Sequence, residues 1–234
     1  MSLSATIVLV HGALTDASVW NGVLDCLAAL GQPAVAPAMP LRGLHTDAAY
    51  LSSFLKTVTG PTVLVGHSYG GTVISHPQLE HGNVAALVYV AAFAPDAGES
   101  TGELNGRWPG SRLGEATTVL REHPDGVDLY LKPEHFVDVY GGDLEPAIAY
   151  RMAVAQRPLD TRALGDTFDG APLWRTIPSW ALLATQDNSL PVAAQRAMAE
   201  RAGSKTVEIA ASHATPVANP QAVLEVIQDA LRSA

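Results

Sequence analysis

Gly66-His67-Ser68-Tyr69-Gly70 is the segment of this sequence best equipped for chemistry. It places Gly-x-Ser-x-Gly directly after the β-branched run Thr62-Val63-Leu64-Val65 and before an apolar stretch that can open a helix. A sharp strand-to-helix turn forces the serine into strained backbone geometry, and glycines on either side leave room where side chains would collide. Ser68 is then expected to stand exposed at the C-terminal edge of a sheet, where open α/β folds bind ligands. The helix N-terminus beneath it favours negative charge. A phosphate cradle would need a Walker lysine or Gly-x-Gly-x-x-Gly spacing, and the sequence has neither. The residue types suit Ser68 as a nucleophile.

The elements that would position it alternate along the chain. Ile7-Val8-Leu9-Val10 is continuous and β-branched, as a parallel strand covered on both faces should be. A helix follows, capped by Asp16 or Ser18 and ending at Gly31. The run 35–37 is a weak second strand, residues 50–58 a second helix, and 62–65, 85–90, 180–184 and 206–209 four further strands. Helices over 191–202 and 221–232 fill the last gaps. This rhythm specifies an α/β domain with right-handed crossovers and a mostly parallel, doubly wound six-stranded sheet. Residues 96–175 break it, with no convincing buried strand, helical patches punctuated by Gly and Pro, and seven of the chain's 14 aromatic residues. So long an excursion is expected to be a helical cap inserted into a core made of residues 1–95 and 176–234.

Composition narrows the partners. With 234 residues, 47% hydrophobic and 16% charged, the chain can bury one substantial core. A net charge of −9 argues against nucleic acid and anionic membrane surfaces. No run is long enough to span a bilayer and no export signal is evident, so a cytoplasmic protein is expected. The single cysteine, Cys26, excludes internal disulfides and multi-cysteine metal sites, and reads as a small buried hydrophobe. No metal-ligand spacing appears, and no cofactor or metal is implied.

Val10-His11-Gly12-Ala13, the 66–71 elbow, Val90-Ala91-Ala92-Phe93-Ala94-Pro95, Pro178-Ser179-Trp180, Thr185-Gln186-Asp187 and Ser212-His213-Ala214 together resemble the α/β-hydrolase superfamily. Within it they look like the small esterases that include plant methyl esterases, hydroxynitrile lyases and bacterial relatives. The resemblance implies a core sheet that starts at the family's third strand. It implies backbone N–H groups of Ala13 and Tyr69 as oxyanion donors, and a structural His11. Pro77 departs from the pattern and should kink or end the helix after the elbow. Residues 212–216 read as a tight loop.

A serine hydrolase of this fold needs a nucleophile, then an acid, then a histidine along the chain. His213 follows the sixth strand and is the expected base; His45, His76, His81, His123 and His135 do not follow a strand in that position. His67 adjoins Ser68 but should point differently, as a structural hydrogen-bonder. Asp187, after the fifth strand, is the expected acid, with Asp96 after the fourth as the alternative. Asp160, Asp166 and Asp169 read as solvated cap or loop charges. The expected reaction is hydrolysis of small, largely apolar carboxylic esters or lactones through an acyl-enzyme. A cofactor-free perhydrolase or lyase on the same triad, or a non-catalytic binding protein, are the alternatives. Against the lyase, Ala214 stands where hydroxynitrile lyases carry lysine and Gly12 where they carry threonine.

Overall fold

The structure is a computed structural model that describes residues 5–79 and 82–233; His81 lies outside the described residues. Its centre is a six-stranded, all-parallel sheet whose strands lie in the spatial order 34–35, 6–10, 62–67, 84–90, 179–184 and 205–209. The first half runs β1 (Thr6–Val10), α1 (Asn21–Ala29), β2 (Ala34–Val35), α2 (Leu44–Leu55), β3 (Thr62–His67), α3 (Tyr69–Ile74) and β4 (Val84–Val90). After an insertion the sheet resumes with β8 (Ser179–Ala184), α8 (Val192–Arg201), β9 (Lys205–Ile209), α9 (Thr215–Ala218) and α10 (Pro220–Ser233).

Strand alternation assigns each apolar side chain to one of two cores. Val8, Val10, Leu64, Leu87, Ala181 and Leu183 face α2, α3 and α8. Ile7, Leu9, Val63, Val65, Val88 and Leu182 face α1 and α10. The sheet is therefore doubly wound, and β3 is buried along its whole length. The helix after the elbow ends at Ile74, with Ser75 as its cap, ahead of Pro77, because proline disfavours helix in the residue before it and offers no N–H. Cys26 is half-buried against the second core rather than enclosed in it.

The insertion is not purely helical. It holds α4 (Thr101–Arg107), β5 (Thr118–His123), β6 (Gly126–Leu131), α5 (Phe136–Val139), α6 (Pro146–Val154), β7 (Leu159–Asp160) and α7 (Arg162–Gly165). The three strands form a separate antiparallel sheet. β5 and β6 are half-exposed and mixed in polarity, so they lack the continuous apolar run that marks a buried strand. Asp160 also departs from expectation. It is fully buried, holds the Arg162 guanidinium through both carboxylate oxygens and approaches His123 Nε2 at 3.2 Å.

This small sheet is tied to the core by Arg42, which donates to Asp128 Oδ1 at 2.7 Å and to the Pro158 carbonyl at 3.1 Å. The Asp160 N–H donates to the Leu41 carbonyl at 2.9 Å. Replacing Arg42 with alanine should cost about 1 kcal/mol after solvent screening of a partly exposed pair. Hydrogen exchange should then quicken in β5 and β6 while β3 and β4 amides keep wild-type protection. Equal loosening of both sheets would refute Arg42 as a local tether.

Candidate active site

The elbow is built from backbone constraints. Ser68 adopts φ 54° and ψ −125° between β3 and α3. A Cβ on Gly66 would lie 2.7 Å from the Gly70 carbonyl oxygen, and one on Gly12 would lie 2.6 Å from the Ser68 Cβ. Strand, helix and the 11–13 turn thus approach at distances that glycine alone permits.

From there a chain of hydrogen bonds leads outward. Ser68 Oγ lies 2.8 Å from His213 Nε2, and His213 Nδ1 lies 2.6 Å from Asp187 Oδ2. Asp187 follows β8 and His213 follows β9, so parallel neighbours deliver both side chains to one sheet edge. The Asp187 carboxylate also accepts from the Ser189 and Leu190 N–H groups, both at 2.8 Å, and from Gln195 Nε2 at 3.0 Å. Gln195, on α8, is buried and also donates to the Leu190 carbonyl while accepting from the Ala184 N–H. Nothing in the local sequence marks it, because a lone glutamine within a helix carries no pattern.

Asp96 is not part of this group. Its carboxylate takes two bonds from Arg175, at 2.7 and 2.5 Å. Asp166 accepts from the Leu44 N–H at the start of α2, and Asp169 lies 3.9 Å from His45.

Two peptide planes next to Ser68 are oriented by their carbonyls. Met39 N–H donates to His11 Nε2 at 2.9 Å, so His11 carries its proton on Nδ1 and donates to the Gly12 carbonyl, also at 2.9 Å. A trans peptide points its N–H opposite its C=O, so the Ala13 N–H is directed away from His11. Likewise the Ser68 carbonyl accepts from the Gly71 and Phe93 N–H groups at 2.9 and 3.2 Å, which turns the Tyr69 N–H the other way. Among the described residues neither N–H has an acceptor. Both residues line the cavity that Ser68 faces. The Tyr69 hydroxyl points elsewhere, donating to buried Asp47 at 2.8 Å.

Ser68 is only 6% exposed. The expected open elbow is instead roofed by the insertion, and access runs through a cavity of about 630 Å³. Leu113, Leu120, Leu129 and Leu164 from the insertion face Phe93 and Ala13 from the core, and among the described residues Glu115 is the one ionisable carboxylate in the lining. Sequence pattern does not identify these positions, since the insertion has no periodic signal. A second cavity of about 370 Å³, bounded by Asp16, Asn21 and Arg151, lies across Leu14 from the serine. Among the described residues no cluster of three His, Cys, Asp or Glu could hold a metal ion, and no helix is long and apolar enough to cross a membrane.

His67, His11 and His76 are fully buried. Burial lowers His11 from 6.5 to about 4. Burial, reinforced by nearby His45, does the same to His76. Burial and the neighbouring His213 hold His67 well below the ordinary range. All three are neutral in the fold, whereas the unfolded chain protonates them near pH 6.5. Stability from this source is complete above that pH and declines as pH falls toward about 4. Melting temperature should therefore drop between pH 6.5 and 4.5, before most carboxylates titrate, with net proton uptake on unfolding. A flat melting temperature across that window would contradict the assignment.

The sequence matches the alpha/beta hydrolase family over residues 7–226. It is 29% identical to alpha/beta hydrolase nvfD of Aspergillus novofumigatus, with 97% of each chain covered. It is 28% identical to a pyrethroid hydrolase of Sphingobium wenxiniae, over 95% of this chain and 86% of that one. Among solved structures, a pyrethroid hydrolase from Sphingobium faniae shares the fold at a TM-score of 0.78, 24% identity and 98% coverage of both chains. Polyneuridine aldehyde esterase does so at a TM-score of 0.79, 19% identity and coverage of 97% and 99%. With the family matched from the first core strand to the last helix, the chain belongs to the alpha/beta hydrolases.

Proposed function

We propose that this protein hydrolyses neutral, bulky, largely apolar carboxylic esters through an acyl-enzyme on Ser68. One observation carries the reading: the hydrogen-bonded series Ser68–His213–Asp187 ends at an apolar cavity of about 630 Å³. The similarity to hydrolases named for pyrethroids, and to an esterase in fold, supports the same class.

In this mechanism Ser68 Oγ attacks the ester carbonyl carbon while its proton passes to His213 Nε2. The carbonyl oxygen becomes an oxyanion and accepts from the Ala13 and Tyr69 N–H groups, each such donor typically worth about 3 kcal/mol of barrier. Asp187 fixes the imidazole with its proton on Nδ1 and stabilises the imidazolium. Collapse breaks the C–O bond, and His213 returns the proton to the departing alcohol. Water then repeats the sequence on the acyl-enzyme and releases the acid.

The two candidate acids separate by exchange to asparagine. Asp187→Asn should lower kcat on the order of 10²–10⁴, and Asp96→Asn less than about tenfold. The reverse ranking would move the acid to Asp96.

Cavity size and lining set the substrate test. Across p-nitrophenyl esters, kcat/KM should rise from acetate through hexanoate by about fourfold per methylene buried, from about 0.8 kcal/mol each. Acyl chains that end in a carboxylate should be poor, because among the described residues no lysine or arginine lines the cavity. Ser68→Ala should be folded and inactive. Peak activity on acetate, or turnover by folded Ser68→Ala, would defeat the reading.

A further inference from the structure

We propose that His67 is a positioning residue for the general base, holding the His213 backbone against the strand that carries the nucleophile. The inference rests on the reading of Ser68 and His213 as nucleophile and base. Its observation is separate: His67 Nε2 lies 2.8 Å from the His213 carbonyl oxygen.

A carbonyl only accepts, so Nε2 carries the proton and His67 is the donor. His67 is the last residue of β3 and immediately precedes Ser68. One residue therefore fixes the nucleophile through its backbone and the base through its side chain. Other anchors of the histidine loop come from the segment after β8, where the Gln186 N–H donates to the Ala211 carbonyl at 3.1 Å and Asp187 holds the His213 ring, and from the insertion. Ala214 N–H donates to the Tyr140 carbonyl at 2.9 Å, and Ser212 N–H donates to Asp143 Oδ2 at 2.9 Å. The His67 bond thus ties the backbone of the base loop directly to the nucleophile strand. Ring packing leaves His67 little freedom: the Trp20 and Tyr140 rings stand edge-on to it at 6.2 Å each, and the His213 ring lies tilted at 4.9 Å.

Losing the donor would leave Ser68 and the substrate cavity in place while loosening the distance from Ser68 Oγ to His213 Nε2. A shift of about 1 Å between reacting groups can cost on the order of a hundredfold. Such a defect falls on kcat and leaves KM nearly unchanged.

The test compares His67→Leu, which removes the donor, with His67→Gln, whose amide N–H can reach the same carbonyl. Both are assayed for ester turnover and for the rate at which a small fluorophosphonate labels Ser68, with melting temperature recorded alongside. Folded His67→Leu should lose about ten- to a hundredfold in kcat and label more slowly by a similar factor, with KM changed less than about twofold. His67→Gln should recover most of that loss. A folded His67→Leu protein that labels and turns over at the wild-type rate would overturn the proposal, as would an equal loss in both variants. Should neither variant fold, ¹⁵N-histidine NMR of the wild type decides. A His67 ring protonated on Nε2 and unchanged between about pH 5.5 and 8 supports the proposal, and an Nδ1-protonated or titrating ring overturns it. Wild-type protein that the fluorophosphonate does not label would instead refute the hydrolase reading, leaving the NMR result to judge His67.

Discussion

The backbone of Ser68, at φ 54° and ψ −125°, occupies a region that costs a residue bearing a Cβ about 1–3 kcal/mol. Its surroundings leave it no alternative. Behind it, β3 is buried along its full length between β1 and β4; ahead, α3 begins at the next residue. The Ser68 carbonyl accepts from Gly71 and Phe93, which pins the peptide that follows. That strain turns the hydroxyl toward His213 and orients the Tyr69 N–H at the same time. Moving the elbow by one residue would sacrifice both. The glycines at 12, 66 and 70 permit the close approach, and the parallel core supplies the energy that holds it.

Much of this was legible because it lies in the repetitive part of the chain. The β-branched runs at 7–10 and 62–65 can pack only as buried strands, and the loops after them must meet at one sheet edge. Pro77 stops a helix for reasons local to its own ring. The insertion was less legible because its structure depends on distant partners. β5 and β6 pair with each other across residues of mixed polarity with no regular alternation, and their sheet is secured by Arg42, more than 80 positions away from Asp128. Asp160 illustrates the limit: its burial depends on Arg162 and His123 being there to receive it, and composition reports only that it is charged. Gln195 is the same lesson in a helix, a residue defined by three partners, one at the end of β8 and two in the loop that follows it.

Core and insertion divide the labour. The core supplies strained backbone, directed N–H groups and the ends of β8 and β9; the insertion supplies walls. Its leucines at 113, 120, 129 and 164 turn an exposed sheet edge into a walled, largely apolar pocket. The insertion also reaches back into the machinery, since Tyr140 and Asp143 bind the backbone on either side of His213. The insertion is therefore coupled to the histidine loop through a few backbone bonds, and a change in it can reach His213 without touching the cavity.

Electrostatics sets a further condition on that coupling. In the proposed reaction His213 becomes a cation midway, and another imidazole ring lies 4.9 Å from it. Were His67 charged, two unit charges about 5 Å apart at an effective dielectric near 20 would repel by about 3 kcal/mol, roughly two orders of magnitude in rate. Burial keeps His67 neutral, and its bond to a carbonyl fixes which nitrogen holds the proton. The same burial that makes the ring a rigid support thus removes the charge that would oppose the imidazolium. Asp187, with donors from Ser189, Leu190 and Gln195 besides the imidazole, is left as the charged group in direct contact with His213. In the proposed reaction a histidine can serve as scaffold beside a histidine as base because the first is buried and neutral and the second is held by a carboxylate.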